Sequence, residues 1–166
     1  VALRIRCRPR VLWVACVGAG ACRVVGADGR AMQICAAELG VGVKGIDPDR
    51  YRFVRSDIVD LDLAGHGRFD VCLCLGLLYH VARPVELRGV IAATGASTLV
   101  IDTALSTAPG SMLEIRWDDV DDPRNAVGHG LVMWPTIQAA DDLVGAFRNQ
   151  ATELAPAFAA WAGRAD

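Results

Sequence analysis

Short, continuous apolar runs separated by helical patterns restrict this chain more than any other feature. The runs at 11–17 (VLWVACV), 41–47 (VGVKGID), 52–58 (RFVRSDI), 69–76 (FDVCLCLG) and 97–105 (STLVIDTAL) read as strands. Between them, AMQICAAELG has apolar residues at helical spacing with Gly40 as a stop, and RPVELRGVIAAT has Pro84 suited to a first helical turn. Strands that are apolar on both faces need cover on both faces, which predicts a doubly wound, mostly parallel α/β sheet. The stretch DPDRYR that joins GID to FVRSD is too short for the ten or more residues of a parallel crossover, so the expected sheet is shortened there. After residue 106 the acidic stretch WDDVDDPRN reads as a loop, and helices near 136–149 and 151–163 are expected to close a single domain over 1–166.

At 166 residues the chain can bury a sizeable core without metals or disulfides. A mean hydropathy of +0.33 with 22% charged residues excludes a disordered chain. The formal net charge of −2 argues against a general nucleic-acid binder, which would carry a basic domain. Cys7, Cys16, Cys22, Cys35, Cys72 and Cys74 include no C-x-x-C pair, and no histidine stands at a metal-like spacing from them, so a metal site is not expected. Cys72 and Cys74 fall on one face of a strand, which predicts buried, reduced thiols and a cytoplasmic protein. Residues 1–21 are atypical: Arg4, Arg6, Arg8 and Arg10, an apolar run and an A-x-A arrangement at 19–21 imitate a secretory signal, with cleavage before Cys22 as the alternative. No apolar stretch reaches the roughly 18 residues that cross a bilayer.

Sheets of this kind bind ligands beyond the carboxyl ends of their strands, where the strand order reverses. The informative residues therefore stand just after each run. In VVGADGR, Gly26 and Gly29 allow a backbone turn close to a ligand and Asp28 supplies a carboxylate. Asp47, in GIDPD, can accept both hydroxyls of a ribose, because a carboxylate offers two oxygens. Asp57 ends the next run in RSDI, and the fourth run ends in LGLLYH.

The series GADGR, GIDPD, FVRSDI, GRFDVCLCLGLLYHVARPVEL and LVIDT resembles the class I S-adenosylmethionine-dependent methyltransferases over about residues 22–105. LGLLYHV-x-RP and the later GLVMWPT are most similar to the branch that holds the tRNA wobble-uridine and small-molecule methyltransferases. The resemblance implies S-adenosylmethionine as cofactor and a small molecule or a tRNA base as methyl acceptor. It implies that Gly26 and Gly29 face the methionine part, that Asp47 holds the ribose and that Asp57 with Ile58 frames the adenine. Leu75, Gly76 and Tyr79 would line the reactive end, with Tyr79 and His80 as the catalytic candidates. The chain departs from the family at its first strand, where Trp13, Ala15 and Val17 stand in place of an acidic residue and a glycine turn. The glycine loop is therefore placed at Gly26–Gly29, and the antiparallel hairpin that usually ends the family's sheet is not visible.

Alternatives stay open at each position. Asp47 before Pro48 also suits a turn, and His80 also suits packing at a strand end. His66 and His129 lie between glycines and are expected in solvent. Asp118, Asp119, Asp121 and Asp122 read as a solvated loop, while Trp117 and Trp134 read as packing residues or as walls of an acceptor pocket. Two rival functions remain: a nicotinamide-dependent oxidoreductase, whose G-x-G-x-x-G is absent, and a methyltransferase-like interaction module without catalysis.

Overall fold

The computed structural model describes residues 2–5, 11–63, 65–122, 125–126, 128 and 130–145. Five strands form one parallel sheet: β1 (Ala2–Ile5), β2 (Val24–Asp28), β3 (Tyr51–Arg55), β4 (Val71–Leu75) and β5 (Thr98–Asp102), in the order β3-β2-β1-β4-β5. The order reverses between β1 and β4, and that crevice is where a sheet of this type takes its ligand. Helices α1 (Val11–Gly18), α2 (Ala31–Val43) and α3 (Pro84–Ala93) join the strands. A separate antiparallel hairpin, β6 (Leu113–Trp117) with β7 (Leu131–Pro135), precedes α4 (Ile137–Gly145).

Neighbouring residues of β2 point to opposite faces, and the core divides accordingly. On one face Val24 packs with Trp13, Ile34, Ala37 and Val41 of α1 and α2. On the other Val25 packs with Cys72, Cys74, Leu87 and Ile91, and with Leu78 beyond the end of β4. The doubly wound arrangement expected from the apolar runs is therefore present: the run at 52–58 overlaps β3, and those at 69–76 and 97–105 contain β4 and β5. Cys72 and Cys74 are buried and form no disulfide, as strand alternation predicts. Burial pushes the Cys72 thiol up to about 12. Among the described residues no helix is long and apolar enough to cross a membrane.

Three expectations are corrected. The run 11–17 is helix α1, because a helix pressed on a sheet can be apolar all round and a short apolar run does not distinguish it from a buried strand. The run 41–47 is the end of α2 and the turn after it: the helix passes through Gly40 and Gly42, and the chain turns at Gly45 with φ +62°. Helix α2 is thus an ordinary crossover from β2 to β3, and nothing is missing between 47 and 52. The closing hairpin, not visible from the sequence, is β6–β7. The helix expected near 136–149 is α4 in its described part, whereas the one at 151–163 lies outside the described residues, as do Cys7 and His129.

Gly26 shows how tightly the first face is fitted. A Cβ there would lie 2.5 Å from Trp13 Cη2 and 2.8 Å from Phe53 Cδ1. The two aromatic rings meet edge to face with centroids 5.2 Å apart, so the absent side chain is what lets α1 sit on β2.

Candidate functional site

In a parallel sheet all carboxyl ends share one edge. Asp28 ends β2, Asp57 follows β3, and Leu75 ends β4 with Gly76 next. The first two tips are neighbours, since the Ser56 N–H donates to the Asp28 carbonyl at 3.2 Å. Each carboxylate is set by a short local turn. Asp28 Oδ1 accepts from the Arg30 N–H at 2.9 Å, and Asp57 Oδ1 accepts from the Val59 N–H at 3.2 Å. Ile58 begins the 3-10 turn that follows Asp57 and is half-buried. Gly29 forms the bend after Asp28. Gly76 has φ +63°, a left-handed conformation that favours glycine, and a Cβ there would meet only Tyr79 Oη, at 3.9 Å.

The structure brings Asp28, Gly29, Asp57, Ile58, Leu75, Gly76, Tyr79 and His80 to this edge, and it separates two of the expected residues from it. Asp47 caps the 3-10 turn Pro48–Arg50 that enters β3, accepting from the Asp49 N–H at 3.0 Å. In the same turn Arg50 donates to the carbonyl of Ala21, just before β2, at 2.8 Å. Asp47 therefore stands at the amino edge, and its turn role accounts for it. Gly26 lies inside β2 against Trp13 and is a packing position, not part of a loop. Residues 6–10, between β1 and α1, lie outside the described residues, and their sequence, RCRPR, contains no glycine.

Beyond β4 the 3-10 turn Leu78–His80 carries the polar residues of the other half. His80 is 8% exposed, and its Nδ1 meets Asp118 Oδ2. Asp118 is not solvated as expected: its side chain is 14% exposed, and the same oxygen accepts from the Ala126 N–H at 3.3 Å. The Tyr79 ring lies 4.1 Å from the His80 ring and meets Trp134 edge to face at 5.5 Å. Arg116 stacks 4.0 Å over Trp134 and donates twice to its neighbour Glu114, at 2.9 and 3.0 Å. The Arg116 guanidinium, then the Ser106 hydroxyl, hold the Glu114 carboxyl below the usual range.

Sequence reasoning missed Arg30. Its Nη2 donates to the carbonyls of Val120, Asp122, Asn125 and Ala126 at 3.0–3.4 Å. Val120, Asp122, Asn125 and Ala126 are thus tied to the β2 tip by Arg30, and Asp118 is tied to the β4 tip by His80. Trp117, by contrast, is 81% exposed. His66, expected in solvent, is 8% exposed, and burial, then Arg52 and Arg23, lower its pKa. Among the described residues no cluster suited to a metal ion occurs.

Solved structures share this architecture. The N-terminal domain of EvdMO1 with S-adenosylhomocysteine bound superposes with a TM-score of 0.69 at 22% identity, over 87% of this chain and 63% of that one. The fold is that of the Rossmann-like methyltransferases. An O-methyltransferase from a trans-AT polyketide synthase of Brevibacillus brevis, in complex with S-adenosylhomocysteine, gives a TM-score of 0.61 at 12% identity over 87% of this chain and 44% of that one. The 1,6-didemethyltoxoflavin N1-methyltransferase of Burkholderia thailandensis gives 0.59 at 18% identity over 87% and 58%. The chain thus spans less than two thirds of the length of each. No family model and no curated protein matches it.

Proposed function

We propose that this chain is a methyltransferase that uses S-adenosylmethionine and methylates a small molecule. One observation carries the reading: two carboxylates, Asp28 and Asp57, stand on adjacent strand tips at the carboxyl edge, on the β1 side of the point where the strand order reverses. The cofactor's chemistry fits these positions. Asp28, in place of Asp47, accepts the ribose hydroxyls, because its turn already orients one oxygen and leaves the carboxylate at the tip. Asp57 and Ile58 frame the adenine. Gly29 gives the backbone room beside Asp28, while Leu75 and the side-chain-free Gly76 line the reactive end.

Bound there, the cofactor supplies an electrophilic methyl group on a sulfonium. The protein's task is alignment, since holding a nucleophile about 3–3.5 Å from that carbon supplies most of the acceleration. Tyr79 and His80 stand at the tip from which the acceptor would approach. A small molecule suits the site better than a tRNA base, because the chain's net charge of −2 offers no electrostatic footprint for a phosphate backbone. The solved neighbours named for N- and O-methyl transfer favour it too.

A second reading, a methyltransferase-like module without catalysis, draws support from the absence of glycine at 6–10. Calorimetric titration with S-adenosylhomocysteine, with NAD as the control, separates the two. Saturable binding of the first and none of the second is expected. No heat at millimolar concentration in a folded sample would leave the non-catalytic module as the account.

A further inference from the structure

The hairpin β6–β7 is a sheet of two strands, a size that is marginal in water without a further strand or a cover. Among the described residues β6 pairs with β7 alone. The Asp118 N–H donates to the Gly130 carbonyl at 2.7 Å, and the Thr136 N–H donates to the Met112 carbonyl at 2.9 Å. The even-numbered residues of β6 thus bond to β7, and the odd-numbered ones turn their N–H and C=O groups to the open edge. Those residues are Leu113, Ile115 and Trp117, and as alternate residues they also share one face of the strand. That face is bare: Ile115 is 62% and Trp117 81% exposed, and Leu113 is exposed as well. Leu131 and Met133 stand opposite Trp117 and Ile115 on β7 and extend it. Such an edge invites a further strand, and this face of β6 carries neither charge nor proline, the devices that keep natural edges unpaired.

We propose that the edge is taken by a second copy of this chain, joined through an antiparallel β6–β6 ladder about a two-fold axis at Ile115. The sequence of β6, LEIRW, is complementary to itself in that register. Ile115 faces Ile115 of the second copy and Leu113 faces its Trp117, and each pair exchanges both backbone N–H···O bonds because these are the residues open at the edge. On the other face Glu114 stands opposite Arg116 of the second copy, and Arg116 opposite its Glu114. Both side chains are half-buried and already bonded to each other within one chain, so pairing brings two ion pairs together with their charges alternating. An axis at Glu114 or at Arg116 would instead set like charges directly opposite one another. The acids that follow β6 meet no acids, since Asp118 falls opposite Met112 and Asp119 opposite Ser111. Two hairpins become one four-stranded sheet, and the self-complementary contact closes at two copies. The ladder also fixes the strand that leads to Asp118, the partner of His80.

Sedimentation velocity of the whole chain, from micromolar to near-millimolar concentration, tests the pairing without any cofactor. A reversible dimer of twice 17.6 kDa is expected. Ile115→Lys changes an exposed position and sets two like charges on the axis, so it should weaken the dimer by about ten-fold or more. Ile115→Cys should form a disulfide between copies on mild oxidation, since a hydrogen-bonded pair holds its Cα atoms about 5.5 Å apart, within disulfide reach. Leu113→Cys should not, because its counterpart is Trp117. Yields are read as the excess over the unsubstituted protein, whose Cys22 and Cys35 are exposed. A monomer at every concentration would overturn the proposal, whether another segment then covers the face or nothing does. A dimer that Ile115→Lys leaves intact would overturn it too, as would equal cross-linking of the two cysteine variants. If Ile115→Lys failed to fold, the comparison of cross-links would decide alone.

Discussion

At the carboxyl edge the tips of β2 and β3 are built from contacts two residues long, whereas the tip of β4 is built from a contact that spans 38 residues. Asp28 and Asp57 each close their own turn. His80 reaches Asp118 across α3, β5 and β6. The half proposed to hold the cofactor therefore depends on local chemistry and on the packing of α1 and α2 beneath it, and the half proposed to face the acceptor depends on the hairpin and on Asp118 staying in place. The difference teaches where each half should fail. Damage under β2 should cost global stability, and damage at the loop should cost geometry alone.

The largest effect is expected under β2. Trp13 is 1% exposed and fills the space above Gly26, so Trp13→Ala should destabilise by about 3–5 kcal/mol in urea unfolding. Gly26→Ala tests the same fit from the other side and should cost about 1–3 kcal/mol by overpacking, because the nearest obstacles are two ring edges that are themselves packed. If both substitutions proved neutral, the first half would not be the tightly fitted one.

A chemical readout comes next. Burial pushes the Cys72 thiol up to about 12, and Cys22 and Cys35 are exposed. At pH 8 a thiol reagent should label the exposed pair rapidly and reach Cys72 only on unfolding, as mass spectrometry of timed samples would show. Rapid labelling of Cys72 would mean that the sheet beneath the β4 tip opens readily.

The smallest effect concerns His66. Its pKa is lowered in the folded chain by burial, then by Arg52 and Arg23, so the unfolded chain binds the proton more readily. The stability that this neutral ring contributes is fully present above the unfolded value of about 6.5 and is lost as pH falls through the lowered folded value. His66→Gln should flatten that fall, measured as urea midpoints between about pH 7 and 5. An unchanged pH profile would show that His66 reaches water.

The same contrast between local and distant contacts decides what the sequence disclosed. β3, β4, β5, α2 and α3 were legible because their apolar periods and turn residues are local. The strand β1 is four residues long and the apolar helix α1 imitates a strand, so the first βα unit was misread and the glycine loop was moved to β2. Gly40 within α2 reads as its end, although a glycine costs only about 1 kcal/mol in a helix, and the helix runs on through Gly42 to the turn at Gly45. That shift carried Asp47 to the wrong edge. Asp28 and Asp57 were found because a carboxylate after an apolar run is a local signal. Asp118 was not, since one acid in a run of four shows no sign of its partner. The four carbonyls gathered by Arg30 are equally silent, because every residue has a carbonyl.

The central claim is that the β2 tip, and not the turn before β3, holds the cofactor. Calorimetric titration of S-adenosylhomocysteine into Asp28→Ala and Asp47→Ala, side by side with the unsubstituted protein, tests it directly. A hydrogen bond to a charged group contributes about 1.5–3 kcal/mol, so Asp28→Ala should weaken binding by about ten-fold or more, and Asp47→Ala should leave it within about two-fold. Loss of affinity in Asp47→Ala with retention in Asp28→Ala would contradict the account.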